Sequence, residues 1–523
     1  MRFEAPLPAD SRMAGLRRRR AARLVPLRPQ CNKQAQWPLT ERFGCSVPDS
    51  SIDIPLAVDL DGTLTPSDTL HEGVLLYMKQ PLREVSALWV PLREGKAQFK
   101  KTVAGTVLFD PALLPYNEDL LAWLRAERRR GRKLILVSAA DQTIADAVAA
   151  HLGLFDAAYG SSDGINLSGV RKRDFIRATL GDRFAYAGDA PVDQPIFAAA
   201  ESVVLVGKVA RLERLLPAGK VVERRFPVDR AGLRTWAHAL RVPHWAKNLL
   251  VFLAPVLGFI HADWVTAVQA VVLFIAFGML ASATYLINDL LDLGADRQHP
   301  RKRFRPLAAG LIPPRDGVLG AAGLLAGSAV LCLALPLAAS GVLVLYLGVT
   351  LLYSLLLKRL PIVDTFVLAG LFTVRVLAGA MLLPTPISPW LLTFCMFFFL
   401  GLAMVKRHAE LNRVVQAGGA GVSSRGYTAK DLPLLLAAGI TSSFAAIVIF
   451  VVYLIEEQYP SGLYSRPEML WALMPVVLLW SLRVWHLTVH GRMNEDPVIF
   501  ALKDGMSRVL GILCAVIILM AWL

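Results

Sequence analysis

The chain has 523 residues, 55% of them hydrophobic, and a mean hydropathy of +0.48, which is high for a soluble protein of this length and points to the membrane. The net charge of +15 admits two partners, a nucleic acid or the basic loops' own membrane surface; the basic residues gather in short segments between apolar runs, so no nucleic-acid partner is expected. Cys31, Cys45, Cys332, Cys395 and Cys514 show no CxxC spacing, which excludes a zinc site and a disulfide framework.

Residues 1–52 are rich in Arg and Pro, with the run Arg17–Arg20, and lack periodicity. They read as a disordered basic tail, not a signal peptide, because no apolar core follows the arginines.

Residues 53–226 alternate short apolar runs with helical stretches, the pattern of a parallel sheet with helices on both faces. "LAVDLDGTLTPSD" sets Asp59 and Asp61 just past a strand. Side chains two apart in extended structure share a side, so both carboxylates can face one pocket. One can attack a phosphoryl group while the other protonates the leaving group and then activates water. "LILVSAA" ends a second strand at Ser138, a neutral donor to phosphate oxygens. "GVRKRD" offers Lys172 as a cation, and "YAGDAPVD" ends a further strand with Asp189 and Asp193, oxygen ligands suited to Mg2+. These four blocks, in this order, resemble the haloacid dehalogenase superfamily. The resemblance implies a Rossmann-like α/β fold, a small helical cap over about residues 72–105, Asp59 as nucleophile, Asp61 as general acid and base, and Asp59 with Asp189 on one Mg2+.

Residues 227–243 read as a linker or interfacial helix. Beyond it come nine apolar segments, at about 244–261, 264–288, 316–338, 341–357, 361–383, 387–405, 432–455, 468–487 and 506–523, most near the length of a bilayer span. The loops after the even-numbered segments hold 15 basic residues and the opposite loops only Arg466. That bias predicts cytoplasmic even-numbered loops, a cytoplasmic N-terminal domain and, with nine spans, an external C-terminus.

After the second segment comes "NDLLDLGAD". Spacings of three and four put Asp289, Asp292 and Asp296 on one helix face, with Asn288 beside them. Acids at a membrane helix end are costly and mark function. An acidic stripe followed by "RKRFRP" suits a magnesium–diphosphate: metal ligands on one side, cations on the other. NDxxDxxxD after the second of nine spans resembles the UbiA superfamily of intramembrane prenyltransferases, over about residues 234–523, and implies an all-α transmembrane bundle from residue 244 to 523. Most members carry a second aspartate-rich motif. Here the corresponding stretch, "YSLLLKRLPIVDTFVLAGLFTVRVLAG", has Asp364 as its only acid. Tyr353, Lys358, Asp364 and Arg375, with "RVPHWAKNLLVF", "KRHAEL" and "EDPVIFALKD", resemble instead the branch that makes polyprenyl-phosphate phosphoribose.

That likeness implies Mg2+-dependent transfer of 5-phosphoribose from phosphoribosyl diphosphate to a polyprenyl phosphate. Asp289, Asp292 and Asp296 would hold one or two Mg2+ on the diphosphate, with Asn288 in the same network. Lys247, Arg303, Lys358, Lys406 and Arg407 would clamp phosphates, and Asp364 would touch ribose or steady positive charge. The soluble domain would then remove the 5-phosphate, giving polyprenyl-phosphoryl-ribose for cell-envelope pentose donors such as arabinose lipids. The implied setting is a bacterial cytoplasmic membrane with a periplasmic C-terminus. Oligomeric state stays open. Two alternatives are a conventional prenyltransferase acting on an aromatic acceptor, beside an unrelated phosphatase, and a non-enzymatic membrane scaffold.

Overall fold

The computed structural model describes residues 54–77, 99, 102–105, 109–162, 165–228, 231–257, 263–384, 386–422, 425–493 and 496–523. The expected basic tail lies outside them, and so does much of the expected cap.

The soluble part is a six-stranded parallel sheet: β1 (Leu56–Val58), β2 (Leu134–Asp141), β3 (Ala157–Ser161), β4 (Ala185–Gly188), β5 (Ser202–Gly207) and β6 (Val221–Pro227), in the order β3-β2-β1-β4-β5-β6. Runs such as Leu56-Ala57-Val58 are buried throughout, because helices cover both faces of a parallel sheet and leave no polar side. Helices α1 (Thr69–Tyr77), α2 (Glu118–Arg129), α3 (Gln142–Leu152), α4 (Val170–Leu180) and α5 (Gln194–Ala199) follow in chain order. On one face Leu120, Leu124, Ile144 and Val148 pack under α2 and α3; on the other Ile176, Ile196 and Phe197 pack under α4 and α5. The chain order reverses beside β1, and at such a switch point the strand ends open a crevice for ligands. Asp59 and Asp189 directly follow the ends of β1 and β4; Ser138, expected to end its strand, instead lies inside β2, which continues to Asp141.

The membrane part holds eight helices long and apolar enough to span a bilayer among the described residues. They are α6 (Trp264–Leu291), α8 (Pro314–Cys332), α9 (Leu337–Leu355), α10 (Val363–Ala380), α11 (Pro389–Gln416), α12 (Leu432–Tyr453), α13 (Leu473–Val489) and α14 (Gly505–Trp522); the short α7 (Leu293–Gln298) follows α6. Val265, Val268 and Val271 on α6, and Val344 on α9, face outward, as lipid-facing residues do. Of the nine expected segments, eight reach spanning length among the described residues. The first expected span is a shorter element, a 3-10 helix at Val242–Phe252 continued by Leu253–Leu257. This leading segment runs antiparallel to α6. Ser282 Oγ donates to the Leu240 carbonyl (2.8 Å), Trp245 Nε1 donates to Ser282 Oγ (3.0 Å), and Phe252 packs on Phe274. Asp263 caps the far end of α6 through the Thr266 N–H (2.8 Å).

The soluble and membrane parts belong to one compact unit, Asp49–Leu523. Helix α1 contacts both α6 and α8.

Candidate active sites

The first site lies at the strand ends of the sheet. Asp59 leaves β1 and accepts the Leu60 N–H (2.8 Å). Lys172, at the start of α4 and 1% exposed, sets its Nζ 2.8 Å from Asp59 Oδ1. Asp61 turns toward α1 and accepts the Thr69 N–H at that helix's first turn (2.8 Å). Gly62 has φ +79, and a Cβ there would collide with the Asp189 carboxylate. The missing side chain lets Asp189 lie against the β1 loop, where Thr63 Oγ1 donates to it (3.0 Å).

Ligand oxygens of Asp59, Asp189 and Asp193 lie within 4.8 Å of one another. Asp193 is 2% exposed, and its Oδ2 has no hydrogen-bond partner. A buried carboxylate oxygen with no donor costs free energy; three converging hard oxygens and this orphan fit a divalent cation. Burial, then the charge of Asp59, pushes Asp189 and Asp193 up to about 7. Burial, then Asp68, pushes Asp61 up to about 7. Ser138 is fully buried, its Oγ accepting from the Ala140 N–H (3.0 Å).

The second site is a cavity of about 750 Å³ at the C-terminal end of α6. The last turn of α6 carries Asn288 and Asp289, Asp292 caps it, and α7 carries Asp296. The Asp296 N–H donates to the Asp292 carbonyl (2.8 Å), so the two helices nearly continue one another. Asn288, Asp292 and Asp296 line the cavity. Asp289 does not; its Oδ1 accepts from Arg241 (2.6 Å) and Arg305 (2.9 Å). Arg305 also binds Asp296 Oδ2 at 2.5 Å, and Lys358 reaches Asp292 at 3.3 Å.

The opposite wall comes from α9, α10 and α11. Arg407 pairs with Asp364 and Glu410 and donates to the Tyr353 hydroxyl (3.1 Å). Asp364 is fully buried; its other oxygen accepts from Tyr427 (2.6 Å), so both oxygens are engaged and the carboxylate stands behind Arg407 rather than in the cavity. Arg375 donates to Asn248 (2.9 Å) and Tyr346 (2.9 Å). Lys247 and Lys406 share Asp496 Oδ2, at 2.7 and 3.1 Å. The lining holds ten basic side chains and three acidic ones. Among the described residues, Arg241 (φ +52) and Ile362 (φ +68) are the two non-glycine positions with positive φ, and both serve this site: Arg241 binds Asp289, and the Ile362 N–H donates to the Tyr427 hydroxyl (2.7 Å) that holds Asp364. Strained backbone of this kind clusters at functional sites.

Of the residues expected from sequence, Lys247, Asn288, Asp292, Asp296, Tyr353, Lys358, Arg375, Lys406 and Arg407 line the one cavity. Asp289 and Asp364 lie behind it, and Arg303 is exposed with its guanidinium over Phe304. Sequence reasoning did not single out Arg241, Arg305, Arg425, Tyr427 or Asp496. The motif strings that contain Arg241, Arg305 and Asp496 were visible, but no spacing rule says which member of a basic cluster turns inward.

The model of the UbiA prenyltransferase family matches residues 249–503. The chain is 39% identical over 472 residues to the uncharacterized protein y4nM of Sinorhizobium fredii, covering 90% of this chain and 91% of that one. It is 30% identical to the nodulation protein NoeC of Azorhizobium caulinodans over 291 residues, 55% of this chain and 93% of that one. It is 32% identical to decaprenyl-phosphate phosphoribosyltransferase of Mycobacterium tuberculosis over 284 residues, 52% of this chain and 89% of that one. The chain belongs to the UbiA prenyltransferase family, as a multi-pass membrane protein whose membrane half carries the family match. The match to y4nM is long enough to run through the soluble domain as well.

Proposed function

We propose that this protein transfers 5-phosphoribose from phosphoribosyl diphosphate to a polyprenyl phosphate in the membrane cavity, and that its soluble domain, a haloacid dehalogenase-like phosphatase, removes the 5-phosphate from the lipid product. The observation that carries the first half is the charge of the cavity. Ten basic side chains against three acidic ones suit a complement of several phosphates. Phosphoribosyl diphosphate brings three and the lipid a fourth, whereas a prenyl diphosphate with an aromatic acceptor brings two. The likeness to decaprenyl-phosphate phosphoribosyltransferase supports the same reading.

In this reading the lipid phosphate oxygen attacks the anomeric carbon, a C–O bond forms, and the bond to the leaving diphosphate breaks. Positive charge develops on the ribose, and fixed dipoles and charges around it lower the barrier. Asp292 and Asp296 would hold Mg2+, which supplies neutralising charge to the diphosphate. Their present partners Lys358 and Arg305 stand ready to take phosphate oxygens. Asp289 positions Arg241 and Arg305, and Asp364 positions Arg407. Lys247 and Lys406, two cations on the single carboxylate of Asp496, leave net positive charge for a further phosphate.

In the soluble site an oxygen of Asp59 attacks the 5-phosphate phosphorus, and the P–O bond to ribose breaks. Asp61 protonates the departing ribose oxygen and then takes a proton from the water that splits the aspartyl-phosphate. Its carboxyl, pushed up to about 7, is matched to giving and taking a proton near neutrality. Lys172 faces the nucleophile at 2.8 Å and offsets phosphoryl charge. Asp59, Asp189 and Asp193 would hold a Mg2+ that neutralises the same group.

The test is to incubate purified protein with Mg2+, ribose-labelled phosphoribosyl diphosphate and polyprenyl phosphate. Label should enter the lipid fraction. Asp292→Ala should lower that transfer at least about 100-fold and leave hydrolysis of a small phosphate ester unchanged. No labelled lipid from the wild type, or full transfer by the variant, would contradict the reading.

A further inference from the structure

Between the two sites lies a buried ion pair that neither mechanism uses. Arg297 donates to Glu72 through both terminal nitrogens, at 2.9 and 2.7 Å. The side chains are 8% and 7% exposed and 225 residues apart. Ser67 Oγ donates to the same Glu72 carboxylate, and Arg297 Nε donates to the Ala308 carbonyl (3.1 Å). Glu72 stands one turn along α1 from Thr69, whose N–H binds Asp61. Arg297 immediately follows Asp296 on α7. Each partner is therefore rigidly tied to one of the two sites.

The surroundings fit a set docking geometry. A Cβ on Gly310, in the loop after α7, would come within 2.9 Å of Pro66 and 3.0 Å of Pro115, so this turn nests between two prolines of the soluble domain. Leu75 of α1 packs on the cluster of Leu286, Leu290 and Leu293. Phe109 lines both the carboxylate site and a small hollow that Arg297 and Leu290 border from the membrane side. Apolar contacts can slide, whereas a bidentate guanidinium–carboxylate pair has one orientation. Removing one partner strands a buried charge, so the pair specifies geometry more than it adds net stability.

We propose that Glu72–Arg297 is a positioning latch that holds the phosphatase site in register with the membrane cavity, so that the phosphorylated lipid leaving the cavity is captured before it disperses in the bilayer. This rests on the function proposed above. Such a geometric advantage appears as an effective concentration, lost when alignment is lost.

The experiment compares Glu72→Arg, Arg297→Glu and the double exchange in the full protein. It reads the early ratio of 5-phosphorylated to dephosphorylated lipid, beside total lipid ribosylation and hydrolysis of a small phosphate ester. Each single variant should raise the ratio about tenfold or more with the other two activities near wild type, and the double exchange should bring the ratio back. Wild-type ratios in the single variants overturn the latch. So does a fall in small-ester hydrolysis that matches the lipid effect, which would mean damage to the site rather than misalignment. So does a double exchange that fails to restore the ratio. If the wild type itself never removes the lipid's 5-phosphate, the reading of the soluble domain falls instead. Docking is then judged by thiol cross-linking of Leu113→Cys to Gly294→Cys, where a Gly294 Cβ would lie 3.8 Å from the Leu113 side chain. Loss of that cross-link on adding Glu72→Arg supports the latch, and its persistence overturns it.

Discussion

Gly62 shows how one missing side chain can organise a site. The DGT turn needs a positive φ at this position, and Asp189 occupies the space a methyl group would take. Gly62→Ala should therefore cut small-ester hydrolysis by about 100-fold or more with lipid ribosylation unchanged; hydrolysis within a factor of about two of wild type would show that Asp189 does not depend on this contact. The crowding of Asp59, Asp189 and Asp193 has a pH signature. Asp189 and Asp193, held at about 7 by burial and by Asp59, keep protons near neutrality in the metal-free protein. Raised carboxyl pKa values stabilise the folded metal-free state below the ordinary carboxylate range, and that contribution is lost as pH rises through about 7. A cation must displace those protons. Added Mg2+ should thus raise the melting temperature more at about pH 8 than at about pH 6, and Asp193→Asn should remove most of the difference. An equal shift at both values would count against a metal on these carboxylates. Asp59, Asp61, Asp189 and Asp193 were legible because their chemistry repeats at short spacing beside strands. Arg241 was not: its partner Asp289 lies 48 positions away, and only the fold brings them together.

At the scale of elements, the sheet and the acidic helix end could be read in advance. Strands buried on both faces leave unbroken apolar runs, and three aspartates at helical spacing survive at a membrane helix end only for a reason. The leading segment, Val242–Leu257, is shorter than the span expected at about 244–261, whose last residues lie outside the described ones. Apolar content marks a span, but it does not reveal 3-10 winding, in which each residue advances about 2.0 Å instead of about 1.5 Å, so that fewer residues cover the same depth. The resemblance implies that Asp364 touches ribose or steadies positive charge. Its place behind Arg407 depends on Tyr427, 63 residues downstream, which no local pattern specifies. The loop-charge bias predicts a direction for these helices. In a variant whose five native cysteines are replaced by serine, cysteines at Gln458 and Arg301 should react from opposite sides with a membrane-impermeant thiol reagent in intact cells and inverted vesicles. Labelling of both from one side would refute the proposed orientation.

For the whole molecule, two sites with complementary chemistry sit in one unit. In the proposed function the ten basic side chains lining the membrane cavity would gather phosphates, and the soluble site would supply Asp59 as nucleophile, Asp61 as acid–base partner and Asp59, Asp189 and Asp193 as metal ligands. Contacts of α1 with α6 and α8 place the soluble domain beside the acidic end of α6. If the two steps run in sequence, stopping the second must expose the product of the first. Asp59→Asn keeps the size of the side chain at the soluble site and removes its nucleophile, while the transferase retains its own ligands. The most direct measurement is mass spectrometry of the lipids formed by wild type and Asp59→Asn from phosphoribosyl diphosphate and polyprenyl phosphate. The account predicts a dephosphorylated ribosyl lipid from the wild type and a lipid retaining its 5-phosphate from the variant. The same lipid from both proteins would contradict it.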